Sequence, residues 1–332
     1  MCIIIHMANN KTLRSAKKNK KDEFYTQEID ISSELINYKE QFRRNVVWCP
    51  CDDYDYSNFV KFLEEIKSDW EIKKIIATCY PSGKCRIIDD NGIHDSVLDG
   101  DGSFDSEEVQ SFLEECDIVT TNPPFSRFDE FVERFVRAGK KVCILGPWNA
   151  FFNKVIFKLY HEKLLWLGHT RNKTMWFEVP DGYKFEKEEN GRKFTKVPGI
   201  SWWTNFEMPE KKEKFSTDAK YNPDENPKYL NFDAIHVGST KKIPMDYAGL
   251  MGVPGNYINE HDGENFELIG VLNGYGKPEP EHGLYCGEKL DVISGSDMKT
   301  VKFSGPVLPH PTIEGANKAV FGRLLIKNKK LS

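Results

Sequence analysis

The stretch that decides the fold is Asp117-Ile118-Val119-Thr120-Thr121-Asn122-Pro123-Pro124-Phe125-Ser126-Arg127-Phe128. A short apolar run rich in β-branched residues and closed by a turn signal reads as a strand buried on both faces. Consecutive prolines cannot donate to a ladder, so the strand stops at Asn122. Beyond it Phe128, Phe131, Val132 and Phe135 recur at helical spacing, and Ala138-Gly139 supplies a C-terminal stop. A strand that empties into Asn-Pro-Pro-Phe presents a side-chain amide, proline carbonyls and an aromatic face at the open edge of a sheet. Those groups suit a flat ring bearing an amine, with two acceptors for its N–H groups and a surface to stack on.

The same alternation of short strands and amphipathic helices runs from Asn45 to about Phe206 and predicts an α/β sheet with helices on both faces. Val46-Val47-Trp48-Cys49 reads as a first strand, Phe59, Phe62, Leu63 and Ile66 as a helix face, and Lys74–Tyr80 as the next strand. Arg86-Ile87-Ile88 before Asp89-Asp90-Asn91-Gly92 suggests a hairpin. Asp105 and Glu108 have capping-box spacing and predict a helix through Leu113. Lys141–Gly146 and Leu164–Leu167 read as strands, Phe151–Tyr160 as a helix, and Met175–Val179 with Ile200–Thr204 as a closing antiparallel pair around a charged turn. After about Met208 the chain turns rich in Gly, Pro, Asn and Tyr, and a loop-rich second region is expected.

The chain has 332 residues, 39% hydrophobic and 29% charged, with a net charge of −5. That length suits one large domain or two smaller ones. No apolar stretch approaches the ~18 residues of a membrane span, so no membrane partner is expected. Met1–His6 lacks a basic region ahead of an apolar core, which argues against a signal peptide and for the cytoplasm. Met7 is an alternative start, because residues 8–21 read as a polar, basic leader. Lys11, Arg14, Lys17, Lys18, Lys20 and Lys21 form either a solvated flexible tail or an arm that touches phosphates. Eight cysteines without paired ligand spacing read as reduced thiols, and no metal is expected. His161, His169, His236 and His261 show no ligand or triad spacing and receive no role.

Three segments are placed to converge at the carboxyl edge of the sheet, where open α/β folds bind ligands. They are Asp22-Glu23-Phe24-Tyr25-Thr26-Gln27, Cys49-Pro50-Cys51-Asp52-Asp53 and Asn122-Pro123-Pro124-Phe125. In this order the segments resemble the EcoRI-type adenine-specific DNA methyltransferases, which use S-adenosylmethionine. The likeness extends through CDDYDYSNF (Cys51–Phe59), TCY (Thr78–Tyr80), GDGSF (Gly100–Phe104), TNPPFS (Thr121–Ser126), WLG (Trp166–Gly168), MGVP and FELIG (within Met251–Gly270) and RLLIK (Arg323–Lys327). The resemblance implies a Rossmann-like methyltransferase domain over residues 22–207 and a target-recognition region over 208–332. Asn122 and the Pro123 carbonyl would accept from the N6 amine of a flipped adenine, with Pro124 stiffening the turn and Phe125 stacking on the base. Phe24, Tyr25, Thr26, Cys51, Asp52 and Asp53 would hold the cofactor, with Asp101 and Phe104 against its adenine. Duplex DNA is the implied partner, with Lys241, Lys242 and Asn256 as candidate contacts, and a restriction endonuclease is a possible functional companion.

The glycine-rich loop that usually follows the first strand of such enzymes is absent, since Cys49 to Asn58 contains no glycine. Other readings stay open on the residues alone. Asn-Pro-Pro-Phe also resembles methyltransferases for guanine N2 in RNA and for protein glutamine, and the missing glycines are compatible with a DNA-binding protein that has lost methyl transfer. Asp52 and Asp53 equally suit a helix cap, Gly100-Asp101-Gly102 a turn, Phe24-Tyr25 a packed aromatic pair and Trp202-Trp203 the core.

Overall fold

A computed structural model of the chain describes residues 25–179, 181–208, 215–261, 263–274, 277–294 and 299–331. The chain divides after Met208 into two compact units. The first carries strands β1 (Tyr25–Thr26), β2 (Val46–Cys49), β3 (Lys74–Thr78), β4 (Lys84–Asp89), β5 (Gly92–Val97), β6 (Ile118–Thr121), β7 (Lys141–Pro147), β8 (Trp166–Leu167), β9 (Lys173–Val179), β10 (Lys187–Glu189) and β11 (Arg192–Thr204). Its helices are α1 (Glu28–Leu35), α2 (Lys39–Phe42), α3 (Asn58–Ile66), α4 (Gln110–Glu115), α5 (Phe128–Arg137) and α6 (Lys154–His161).

These strands form one mixed sheet in the order β1-β9-β11-β7-β6-β2-β3-β4-β5, with β8 and β10 also paired to β11. At its centre β7, β6, β2 and β3 are parallel. All four residues of both β2 and β6 are buried, as expected for strands covered on both faces. Side chains alternate accordingly. Val47 and Cys49 join a core with Ile31 and Leu35 of α1 and Phe59 and Leu63 of α3. Trp48, between them, packs edge-on against Phe135 of α5 and near Phe112 of α4. Trp202 and Trp203 divide in the same way, the former near Phe59 and the latter against Phe128 and Phe151. Both tryptophans are therefore core.

From β2 the chain steps outward to β3, and the next parallel strand, β6, lies on the opposite side of β2. The direction of winding reverses between β2 and β6, and the carboxyl ends of these two strands flank a topological switch point. Cys51-Asp52-Asp53 leaves one of them and Asn122-Pro123-Pro124-Phe125 the other.

Several local expectations are corrected. The helix expected from Asp105 begins only at Gln110. Glu108 does not close a capping box; its carboxylate accepts from the amides of Asp99 and Gly100. Asp105 is taken by Ser103 and Arg127. The helix expected over Phe151–Tyr160 is split into a 3-10 turn (Trp148–Phe152) and α6, because Asn153 caps α6 by accepting from the Val155 amide at 2.8 Å. Ile200–Thr204 pairs with β7 along its length, and of these residues only Ile200 also pairs with β9, whose other partners are Lys193–Val197. An irregularity between Val197 and Ile200, where Gly199 takes φ +74°, re-aims this 13-residue strand from one partner to the other.

The second unit, expected to be loop-rich, carries nine short strands and, among the described residues, no α-helix. They are β12 (Ile235–His236), β13 (Met251–Val253), β14 (Phe266–Leu272), β15 (Leu284–Tyr285), β16 (Leu290–Ser294), β17 (Lys299–Phe303), β18 (Val307–Pro309), β19 (Asn317–Ala319) and β20 (Arg323–Asn328). Two sheets result, β12-β13-β20-β14-β15 and β17-β16-β19-β18. Strands of two to seven residues are too short to leave a legible period in the sequence.

Candidate active site

The acidic loop and the Asn-Pro-Pro-Phe turn are joined by one buried carboxylate. Asp52 is 7% exposed. Its Oδ2 accepts from the Thr121 hydroxyl at 2.6 Å and its Oδ1 from the Ser57 hydroxyl at 2.5 Å. Ser57 in turn caps α3, its Oγ accepting from the amides of Phe59 and Val60 at 3.1 and 3.4 Å. Thr121 is the last residue of β6 and Asn122 follows it directly. The side chain of Asp52 thus braces the strand end that presents Asn122 and the start of α3 at the same time. Ser57, not either aspartate, supplies the helix cap.

Burial pushes the Asp52 carboxyl up from the ordinary aspartate value to about 6, against the lowering effect of the two hydroxyl donors. The native state therefore holds this proton more tightly than the unfolded chain, so the contribution of Asp52 to stability is full below about pH 4 and is lost as pH rises through about 6. A shift of this size corresponds to roughly 3 kcal/mol. Asp52→Asn, which cannot ionise, is expected to lose this downward slope in urea-unfolding free energies measured between pH 4.5 and 7.5. Identical slopes in wild type and variant would contradict the assignment.

The first of the three converging segments reaches the same place. Asn58, at the start of α3, donates its amide to the Thr26 carbonyl at 2.7 Å. The Tyr25 ring lies 6.1 Å from that of Tyr56. Thr26 is 4% exposed, and its hydroxyl is buried with no hydrogen-bond partner among the described residues. Phe24 and the basic cluster at Lys11–Lys21 lie outside the described residues. Asp53 is paired with Lys84 of β4, whose Nζ lies 3.1 Å from its Oδ2 and 2.7 Å from Asp55 Oδ2. Cys51 is half-buried between Pro50 and Asp52.

Within the turn itself Pro123 is buried, while Asn122, Pro124 and Phe125 are half-buried. Phe125 packs against the core that contains Val47 and Cys49. Across β3, the loop carrying Asp101 and Phe104 is folded onto the strand end: a Cβ on Gly102 would lie 2.8 Å from the Cys79 carbonyl. Asp101 is exposed and accepts from the Ser103 amide at 3.0 Å. Phe104 is only 3% exposed, its ring centroid 4.9 Å from that of Phe131. Arg127 covers Phe104, its guanidinium 4.5 Å from the ring centroid, and ion-pairs with Asp105 and Glu130. Phe104 is therefore packed into the core against α5, and Asp101 stays at the surface.

Four contributors were not singled out in the sequence: Ser57, Asn58, Lys84 and Arg127. Ser57 carried a signal, a serine one residue before a helical apolar pattern. Lys84 carried none, because its pairing with Asp53 depends on the β3–β4 hairpin register.

The model of the family described as "Adenine-specific methyltransferase EcoRI" matches residues 12–96 and 82–329. The chain is 37% identical to the Type II methyltransferase M.EcoRI of Escherichia coli, over 98% of each chain. It is 39% identical to the Type II methyltransferase M.MpnI of Mycoplasma pneumoniae, over 77% of this chain and 84% of that one. Against the Type II methyltransferase M.MgeORF184P of Mycoplasma genitalium it is 36% identical, over 77% and 85%. No solved structure matches the chain.

Proposed function

Because the chain belongs to the EcoRI adenine-specific methyltransferase family, we propose that it transfers a methyl group from S-adenosylmethionine to the N6 amine of an adenine in duplex DNA. The observation that carries this reading is the Asp52 brace. It brings the Asn-Pro-Pro-Phe turn and the two candidate cofactor segments to one edge of the sheet, at the switch between β2 and β6. In this reading the first unit is a Rossmann-like catalytic domain and residues 208–332 are the target-recognition region.

The residues present fit the cofactor. The buried Thr26 hydroxyl supplies an unused hydrogen-bonding group at this edge, next to the Tyr25 ring, which is paired with that of Tyr56. The acids contribute less directly than the sequence suggests, since Asp52 already accepts from two hydroxyls and Asp53 is paired with Lys84. The bound sulfonium supplies an electrophilic methyl carbon, so the protein need only position the acceptor. The Asn122 amide oxygen and Pro123 carbonyl accept from the adenine amine and place partial negative charge beside the nitrogen as it becomes cationic. Phe125 stacks on the extruded base, which offsets part of the few kcal/mol of unstacking. Among the described residues no helix is long and apolar enough to cross a membrane.

The reading is tested with tritiated S-adenosylmethionine and mixed duplex DNA, RNA and protein acceptors, followed by nucleoside digestion. Label in N6-methyladenine from DNA is the expected result. Label confined to guanine N2 or to protein glutamine, or no label in DNA across diverse sequences, refutes it.

A further inference from the structure

The second unit half-buries a cation that has no carboxylate to answer it. Arg323, the first residue of β20, sits beside the Tyr229 hydroxyl, and desolvation lowers its pKa from the usual arginine value. Its Nε is buried and has no hydrogen-bond partner among the described residues. No acidic group among the described residues ion-pairs with it. The Tyr229 hydroxyl also sits 3.1 Å from His236 Nδ1 and 3.3 Å from the Gly252 carbonyl. Gly252 is what admits the ring, since a Cβ there would lie 2.4 Å from the Tyr229 oxygen.

His236 cannot balance the charge. Burial holds its pKa down to about 4, and the positive field of Arg323 and of the exposed Lys318 acts in the same direction. The cluster is thus a neutral tyrosine and a neutral imidazole beside two positive charges. Partly desolvating a guanidinium without a counter-charge opposes folding, and the half-exposed group is open to an anion that arrives from outside. A planar guanidinium matches a phosphate better than a point charge does.

We infer that Arg323, supported by Tyr229 and flanked by His236 and Lys318, forms a phosphate-binding site in the second unit, taking either a DNA backbone phosphodiester or a free phosphate. The DNA source rests on the function proposed above; the anion site itself does not. Arg323→Met is expected to fold with a melting temperature equal to or above that of the wild type, because it removes a half-buried charge with no carboxylate partner. Inorganic phosphate, titrated at constant ionic strength, is expected to raise the melting temperature of the full-length wild type and not of the variant. Affinity for duplex DNA is expected to fall about tenfold on every sequence, with the slope of log affinity against log salt smaller by about 0.9, the loss of one phosphate contact.

If the phosphate shift disappears while DNA affinity and salt slope are unchanged, the site serves a free anion and the backbone source is rejected. If neither phosphate nor DNA distinguishes the variant, the site itself is rejected. Should wild type neither bind nor methylate DNA, the proposed function fails while the phosphate titration still decides the anion site. Arg323→Lys, which keeps the charge but loses the fork, serves if methionine is not tolerated, and a phosphate response equal to wild type in it contradicts recognition by the guanidinium.

Discussion

Asn122→Ala is expected to slow methyl transfer by roughly 10²–10³-fold or more, the usual effect of deleting a preorganised dipole at a site of developing charge. The loss should fall on the single-turnover rate and not on stability. Asn122 is half-buried in a turn, and the brace that holds the strand end, Asp52 to Thr121, does not involve its side chain. Asn122→Asp retains an acceptor oxygen but adds a full negative charge beside the base, and is expected to be impaired less than the alanine variant. Single-turnover assays with saturating DNA and cofactor, read beside thermal melting, separate chemistry from folding. A rate within threefold of wild type in Asn122→Ala would refute the assigned role.

The largest loss of stability is expected from Glu34→Ala. Glu34 is fully buried, yet its carboxylate is well served: Tyr38 donates its hydroxyl at 2.9 Å, and the amides of His169 and Thr170 donate at 2.7 and 2.8 Å. It ties α1 to the turn after β8, two segments 135 residues apart. Removing it takes the carboxylate from three donors, the buried Tyr38 hydroxyl and the part-buried amides of His169 and Thr170, and leaves only Met208 Sδ, 3.2 Å from the Tyr38 hydroxyl, as an acceptor, at a cost of about 3 kcal/mol. Glu34→Gln keeps one acceptor oxygen and should lose less. Urea unfolding of the three proteins checks this; a loss under 1 kcal/mol for alanine would show that the turn can find other acceptors.

The parallel centre of the sheet was legible because its strands announce themselves. Val46–Cys49 and Ile118–Thr121 are apolar and β-branched, and Phe128–Phe135 keeps strict helical spacing. The α/β class follows from that alternation. Elements failed where a side chain chose a tertiary partner over the local one: Glu108 turned to the amides of Asp99 and Gly100 and left the expected helix start without its box. In the same way the candidate residues were readable as chemistry but not as geometry. Asp52 and Thr121 are 69 positions apart, and nothing in either segment says that the acid would be consumed by its neighbours before reaching a ligand. Arg323 was likewise seen only as part of a familiar closing segment, because its lack of a carboxylate exists only once the strands are paired.

The glycine-free loop after β2 has a thermodynamic consequence. Between Cys49 and Asn58 no residue takes a positive φ, so the path from strand to α3 is made within conformations open to any L-residue. Glycine there would widen the unfolded ensemble and loosen the folded loop. Its absence, with Asp52 and Asp53 both held by side-chain partners, means the loop is ordered before a ligand arrives. Association at this edge then spends little of its interaction energy on fixing the backbone, and substitutions that reintroduce freedom, such as Pro50→Gly, act on affinity through entropy as well as through the packing of the buried Pro50.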